Sequence, residues 1–230
     1  MTSNPVNMTE TELELEHCPV DVDDCNWLQE LARIRAENKA LRAQVIRDPL
    51  TGLHNLRYFE ETLDIEIQRT LRTGRSTCLL IIDLDRFKSV NDTFGHEVGN
   101  EALKTAARGF RDELRQFDDV CRYGGEEFAV ILPQTSLPVA VNVAERLRVS
   151  LENAPIAFKE EVIHVTASFG VAIYQGEEDI DAKAIVDQAD KYMYQAKQQG
   201  RNRVCYPDFS TLKPRTEVSA EEKSALDNSA

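Results

Sequence analysis

The stretch STCLLIIDLDRFK, Ser76 to Lys88, limits the fold of this chain more than any other. Its apolar run from Cys78 to Ile82 leaves no polar face, and a strand of that kind has to be covered on both sides. The flanking sequence supplies the cover. From Asp48 onward the pattern reads helix (Leu56 to Leu71), strand (Ser76 to Asp83), helix (Glu97 to Gln116), strand (Val120 to Tyr123) and strand (Glu126 to Leu132). It continues with helix (Val139 to Asn153), strand (His164 to Tyr174) and helix (Asp181 to Gln198). That order contains βαββαβ and predicts an α/β fold, an α+β sandwich whose central sheet contains antiparallel strands and is covered by helices.

No internal repeat is visible, and four segments are expected. Residues 1–26 form an acidic leader without fixed structure, 27–47 a helical stalk, 48–206 the folded domain and 207–230 a polar tail without fixed structure. In the stalk, Trp27, Leu31, Ile34, Asn38, Leu41 and Val45 follow one another at steps of 4, 3, 4, 3 and 4, a coiled-coil seam with Asn38 at one a-type position. A buried Asn is tolerated where it fixes the register of a parallel pair, which favours a dimer over a helix folded back on its own domain. Asp48 and Pro49 close the stalk, because proline disfavours helix at the residue before it.

The formal net charge is -13, and residues 1–26 hold seven acids with no Lys or Arg, which accounts for -7 of it. Such a surface works against nucleic acid as a partner. Five cysteines (Cys18, Cys25, Cys78, Cys121, Cys205) contain no CxxC pair, so neither a disulfide framework nor a thiolate metal site is expected and a reducing cytoplasm fits best. The run Cys78 to Ile82 is too short to span a bilayer, and the acidic N-terminus does not read as a signal peptide. No membrane association is expected.

The chemistry gathers where strands end. The Gly124-Gly125 pair reads as a two-residue hairpin loop with positive φ at both positions. That accounts for the glycines and leaves Glu126 and Glu127 unexplained. The buried strand ends in Asp83 and Asp85, which share one face. If it lies beside the hairpin, Asp83, Glu126 and Glu127 converge, and carboxylates so placed need a cation between them. Hard oxygen donors with few histidines nearby favour Mg²⁺ or Mn²⁺ over zinc. The lone His96 reads as structural.

Five motifs then carry a resemblance: RDPLTGLHN (Arg47 to Asn55), DLDRFKSVNDTFGHEVGNEAL (Asp83 to Leu103), RYGGEEF (Arg122 to Phe128), VTASFGVA (Val165 to Ala172) and ADKYMYQAKQQGRNRV (Ala189 to Val204). Together they resemble the GGDEF-family diguanylate cyclases, in the variant with Glu at the third motif position. The resemblance spans Arg47 to Tyr206. It implies a nucleotidyl-cyclase-like fold and a dimeric enzyme that condenses two GTP into cyclic di-GMP with release of pyrophosphate. Two Mg²⁺ (or Mn²⁺) ions per site are implied, with metal positions at Asp83, Leu84, Glu126 and Glu127. Asp83, Glu126 and Glu127 would be catalytic, with Glu126 helping to remove a proton. Substrate positions are implied at Phe87, Lys88, Asn91, Asn100, Gly124, Gly125, Lys197 and Arg201, the last two sharing a helix face if the final helix runs through Gly200. Asn100 departs from the family, which usually places an Asp there against the guanine edge; this bears on base selectivity. RQFD (Arg115 to Asp118) and Arg146 match the family's inhibitory site for cyclic di-GMP. The stalk leaves room for a regulatory protein. The alternatives are a catalytically weak nucleotide-binding module that signals through stalk oligomerisation, and a generic metal phosphohydrolase, which leaves Asn91, Lys197 and Arg201 unexplained.

Overall fold

The computed structural model describes residues 29–37, 46–158, 161–176 and 181–211. The chain divides into two units, Met1–Val45 and Ile46–Ala230. In the first, residues 29–37 are helical (α1), with Arg33 bonded to Glu30 at 2.7 Å one turn back. Leu31 is half-buried and Ile34 is 44% exposed. Trp27, Asn38, Leu41 and Val45 lie outside the described residues, so most of the expected seam does too, as do the leader 1–26 and the tail from 212.

The second unit runs α2 (Leu56–Thr73), β1 (Thr77–Leu84), α3 (Phe87–Phe94), α4 (His96–Glu113), β2 (Asp119–Arg122), β3 (Glu127–Leu132) and α5 (Leu137–Glu152). It then continues β4 (Ile156–Phe158), β5 (Glu161–Ile163), β6 (Ala167–Tyr174), α6 (Ala182–Gln198) and β7 (Val204–Cys205). Local chemistry fixes the helix starts. The side chains of Asn55 and Asp181 accept from Tyr58 N and Ala184 N and cap α2 and α6, contacts worth about 1 kcal/mol each. The sheet order is β2-β3-β1-β6-β7. β1 sits at its centre, antiparallel to both β3 and β6.

Every residue of β1 is buried. Cys78, Leu80, Ile82 and Leu84 pack on one face with Phe110 of α4 and Leu147 of α5. Leu79 and Ile81 pack on the other with Phe59 of α2 and Ala189 of α6. The two-sided cover expected from the apolar run is therefore present, with the central strands and helices in the expected order.

The differences are local. The segment between β1 and α4 is helical as α3, and Gly95, at φ 87°, separates the two helices. α4 ends at Glu113 and not at Gln116, so Arg115 stands in a turn. β6 begins at Ala167, and the short hairpin β4-β5 precedes it as a separate sheet. β7 adds a parallel edge through only two positions, Phe169↔Val204 and Gly170↔Cys205. The described chain continues past Tyr206 with Pro207 buried and a 3₁₀ turn at Phe209–Thr211, so the first residues of the expected tail have structure.

Candidate active site

Strand register brings the acids together. Asp83, at the end of β1, pairs directly across the sheet with Glu127 of β3, and Leu84 N donates to Glu126 O at 3.2 Å. Burial pushes the Asp83 carboxyl upward, Lys197 opposes the shift, and Asp85 and Asp190 add to it. The Glu126 carboxyl is raised by burial and then by Asp83; Glu127 is raised by burial, Asp83, Asp190 and Glu126. Among the described residues one cation lowers the carboxyl values of all three acids. Lys197, on α6, places Nζ 2.8 Å from Asp83 Oδ2.

The hairpin turn differs from the expected two-residue loop. Neither Gly124 nor Gly125 has a positive φ, and Tyr123 N and Gly124 N both donate to Glu127 O, at 2.9 and 3.1 Å, which makes a wider turn. Gly124 lets the Glu127 carboxylate lie close to the turn: a Cβ there would run into it. At Gly125 a Cβ would meet nothing within 4 Å. The bare outer surface of the turn at Gly125 is thus not demanded by packing inside the chain.

Around these acids the other expected residues are distributed over several elements. Asn91 of α3 is half-buried against Gly99 of α4, where a Cβ would overlap its side-chain amide, and the next residue, Asn100, is exposed. Lys88 is exposed, whereas Phe87 is buried and packs in the core. α6 ends at Gln198, so Arg201 does not share its helical face with Lys197; it follows in a left-handed conformation, φ 64°. His96 is exposed at the first residue of α4, not part of the core.

The inhibitory-site residues are brought together only in part. Arg115 N donates to Asp118 Oδ2 at 3.0 Å, and both residues line a cavity of about 280 Å³ with Arg47, His54 and Arg111. Burial raises the Asp118 carboxyl against the opposing charges of Arg115 and Arg146. Arg146 itself is bonded to Glu113 at 3.3 Å and lines a different hollow.

Three neighbours of the site were not assigned from sequence. Arg122 donates to Asp48 Oδ2 at 3.1 Å and to Gly125 O at 2.8 Å, tying the DPLTG loop to the hairpin turn. The two partners of that ion pair are 74 residues apart, and nothing in local spacing reveals it. Asp85 lies just past β1 and bonds to Thr166, Ser168 and Asn202. Asp190 adds negative potential at Asp83 and Glu127; it stands seven residues before Lys197, two helical turns, a spacing that could have revealed it.

Among the described residues no three His, Cys, Asp or Glu side chains form a group that would hold a metal ion by themselves. The donors nevertheless suit a hard divalent cation: oxygen-only ligands whose carboxyl pKa values are raised by burial and then by the neighbouring acids. The Leu84 side chain is buried and carries no donor, so that residue could contribute only its main-chain carbonyl.

The sequence matches the family described as diguanylate cyclase, GGDEF domain, over residues 45–203. The chain belongs to this family. The GGDEF domain is 44% identical over 161 residues to the response regulator PleD of Caulobacter vibrioides, covering 69% of this chain and 35% of PleD. The chain thus spans about a third of that relative's length. Its fold is similar to the crystal structure of the diguanylate cyclase SiaD in complex with its activator SiaC from Pseudomonas aeruginosa, with TM-score 0.69 and 40% identity over 78% of this chain and 72% of that one. It is also similar to the coiled coil and GGDEF domain of DgcB from Caulobacter crescentus in complex with c-di-GMP, with TM-score 0.68 and 28% identity over 78% and 95%. No helix among the described residues is long and apolar enough to cross a membrane.

Proposed function

We propose that this GGDEF domain is a diguanylate cyclase that condenses two GTP into cyclic di-GMP and two pyrophosphates. The observation that carries the reading is the convergence of Asp83, Glu126 and Glu127 beside an outer turn that packing leaves bare at Gly125. Two divalent cations, Mg²⁺ or Mn²⁺, held by Asp83, the Leu84 carbonyl, Glu126 and Glu127, would neutralise the polyphosphate and acidify the 3′-hydroxyl. The chain's own residues do the rest. Asn91 and Asn100 meet the guanine edge, and Lys88, Lys197 and Arg201 hold the phosphates while Phe87 fixes the start of α3 from the core. The 3′-oxygen bonds to the α-phosphorus, the bond to pyrophosphate breaks, and Glu126, whose raised pKa suits a base working nearer neutral pH, takes the proton.

Cyclic di-GMP has two equivalent phosphodiester bonds, so two domains with one GTP each must face one another. The stalk supplies that encounter as a homodimer, and a protein seated on it would act as a switch; the similar diguanylate cyclase SiaD forms a complex with its activator SiaC. Product bound at Arg115, Asp118 and Arg146 would inhibit. Use of GTP is in keeping with a cytoplasmic enzyme. Neither nucleic acid nor a membrane enters the reaction.

One observation favours a second reading: Lys197 is closed on Asp83, as suits a catalytically weak nucleotide-binding module. Incubation with GTP and Mg²⁺ or Mn²⁺ followed by chromatography of the products separates the two. Cyclic di-GMP is expected; retained GTP binding without product would select the second reading.

A further inference from the structure

Among the described residues four that are not glycine adopt a left-handed backbone, and three of them surround one carboxylate: Arg86 (φ 55°), Arg201 (φ 64°) and Asn202 (φ 45°). The carboxylate is that of Asp85, which is 8% exposed. Its Oδ1 accepts from Ser168 Oγ at 2.6 Å, and its Oδ2 accepts from Thr166 Oγ1 at 2.7 Å and from Asn202 N at 3.0 Å. Its own amide donates to Thr166 O at 2.8 Å. The Asn202 side chain is fixed in turn by Arg148 at 2.9 Å and Glu152 at 2.8 Å. Asp85 therefore joins the end of β1, the start of β6 and the loop after α6.

Such a joint needs no arginine. A left-handed position is filled at least cost by Gly or Asn, and a bulkier side chain there carries strain that surrounding contacts must hold in place. Arg86 and Arg201 have no acidic partner among the described residues, in a chain of net charge -13. Both line the same cavity of about 410 Å³, together with Ser89, His164, Asn202 and Asp85. Two arginines on one hollow, beside Ser89 and the start of α3, are suited to a phosphate with several oxyanions.

We propose that Asp85 is a positioning residue for polyphosphate binding: by tying Asn202 to the β1–α3 junction it holds Arg86 and Arg201 in left-handed conformations that present both guanidinium groups to this cavity. The inference rests on the GTP reading above. It adds Arg86 to the phosphate contacts and gives Asp85 a role that acts through Arg201 and not through a cation.

The test is a double-mutant cycle in the full chain. KM and kcat for GTP are measured for the parent, Asp85→Asn, Arg201→Ala and the double variant, with thermal unfolding followed for each. In Asp85→Asn an NH₂ group must face a donor where a carboxylate oxygen stood. KM is expected to rise roughly tenfold, the scale of one hydrogen bond to a charged group, with kcat changed far less. The double variant should be no worse than Arg201→Ala, because the effect passes through that side chain. Multiplying effects, or a parent-like KM in Asp85→Asn, would overturn the proposal. Should Asp85→Asn fail to fold, Arg86→Ala at its exposed position decides: KM for GTP rises several-fold, and an unchanged KM overturns the proposal. A parent chain that binds no GTP overturns the assigned reaction and this role with it, whereas a parent that binds GTP with an additive cycle overturns the role of Asp85 alone.

Discussion

The two glycines of the hairpin should respond to the same substitution in different ways. In Gly125→Ala the new methyl meets nothing within 4 Å, and the backbone is not at positive φ. Folding should be unharmed, and restriction of the unfolded chain should add about 0.4–1 kcal/mol of stability. If the nucleotide lies against this turn, the same methyl has to be accommodated in the bound state. Overpacking of about 1–3 kcal/mol corresponds to a loss of roughly 5- to 150-fold in kcat/KM, carried mainly by KM for GTP. In Gly124→Ala the methyl runs into the Glu127 carboxylate, the far end of a flexible side chain. That carboxylate swings away, so stability changes by less than about 1 kcal/mol, but an acid leaves the group around Asp83. The variant should need more divalent cation while its KM for GTP stays closer to the parent's. Thermal unfolding together with initial rates over a matrix of GTP and Mg²⁺ concentrations reads both outcomes. A Gly125→Ala variant with the parent's KM would refute the placement of substrate on the turn. A fall in its melting temperature would refute the structural premise that nothing in the chain fills that space.

Three further predictions follow from individual contacts. Burial would raise the Asp48 carboxyl, but the Thr51 hydroxyl and amide and the Arg122 charge hold it below its ordinary value. The resulting stability is present above the unfolded value near 3.9 and is lost as pH falls through the lower folded value. Asp48→Asn should cost about 1–3 kcal/mol at neutral pH, and its melting temperature should converge on the parent's in acid; a gap that does not close would show that Arg122 is not the partner that matters. Asn100→Asp should sharpen discrimination of GTP from ATP in direct competition, and strict GTP use by the parent would assign base choice to other contacts. Arg115→Ala should keep turnover but remove inhibition by added cyclic di-GMP, and identical curvature in the parent and variant progress curves would exclude the cavity at Arg115 and Asp118 as the inhibitory site.

What could be read from the sequence was what local pattern and motif spacing encode. The buried strand β1, its two-sided helical cover and the acids at its end follow from the run Cys78 to Asp83 and the periodicity around it. Short elements escaped. α3, with eight residues directly after a strand, and β4, β5 and β7, with three, three and two, are too brief to carry a period. The hairpin differs from the expected loop in mechanism, because Gly124 makes room for the Glu127 carboxylate and supplies no positive φ. Contacts such as Arg122–Asp48 and Asp85–Asn202 join residues 74 and 117 positions apart. They are products of the assembled sheet, and no local pattern announces them.

Lys197 exposes the electrostatic demand of the site most directly. Its Nζ is 2.8 Å from Asp83 Oδ2, with side-chain exposures of 28% and 8%, and it faces Asp83 together with Glu126, Glu127 and Asp190. In Lys197→Met the stem remains and the charge goes. Asp83 then loses the charge and hydrogen bond that oppose the upward push of burial and neighbouring acids. A carboxyl whose folded value lies above its unfolded value near 3.9 costs nothing below that value, and its penalty grows as pH rises through the interval between the two. The loss of stability should therefore be small at about pH 4 and reach on the order of 2–3 kcal/mol near pH 7, below the ~3–5 kcal/mol for a wholly buried pair because Lys197 is partly exposed. Millimolar Mg²⁺ should restore part of the melting temperature at neutral pH, since a cation binding only the folded site stabilises it by mass action. A loss that is the same at both pH values and indifferent to Mg²⁺ would mean that Lys197 packs α6 and does not balance the acids, and the case for a cation site at Asp83 would fall with it.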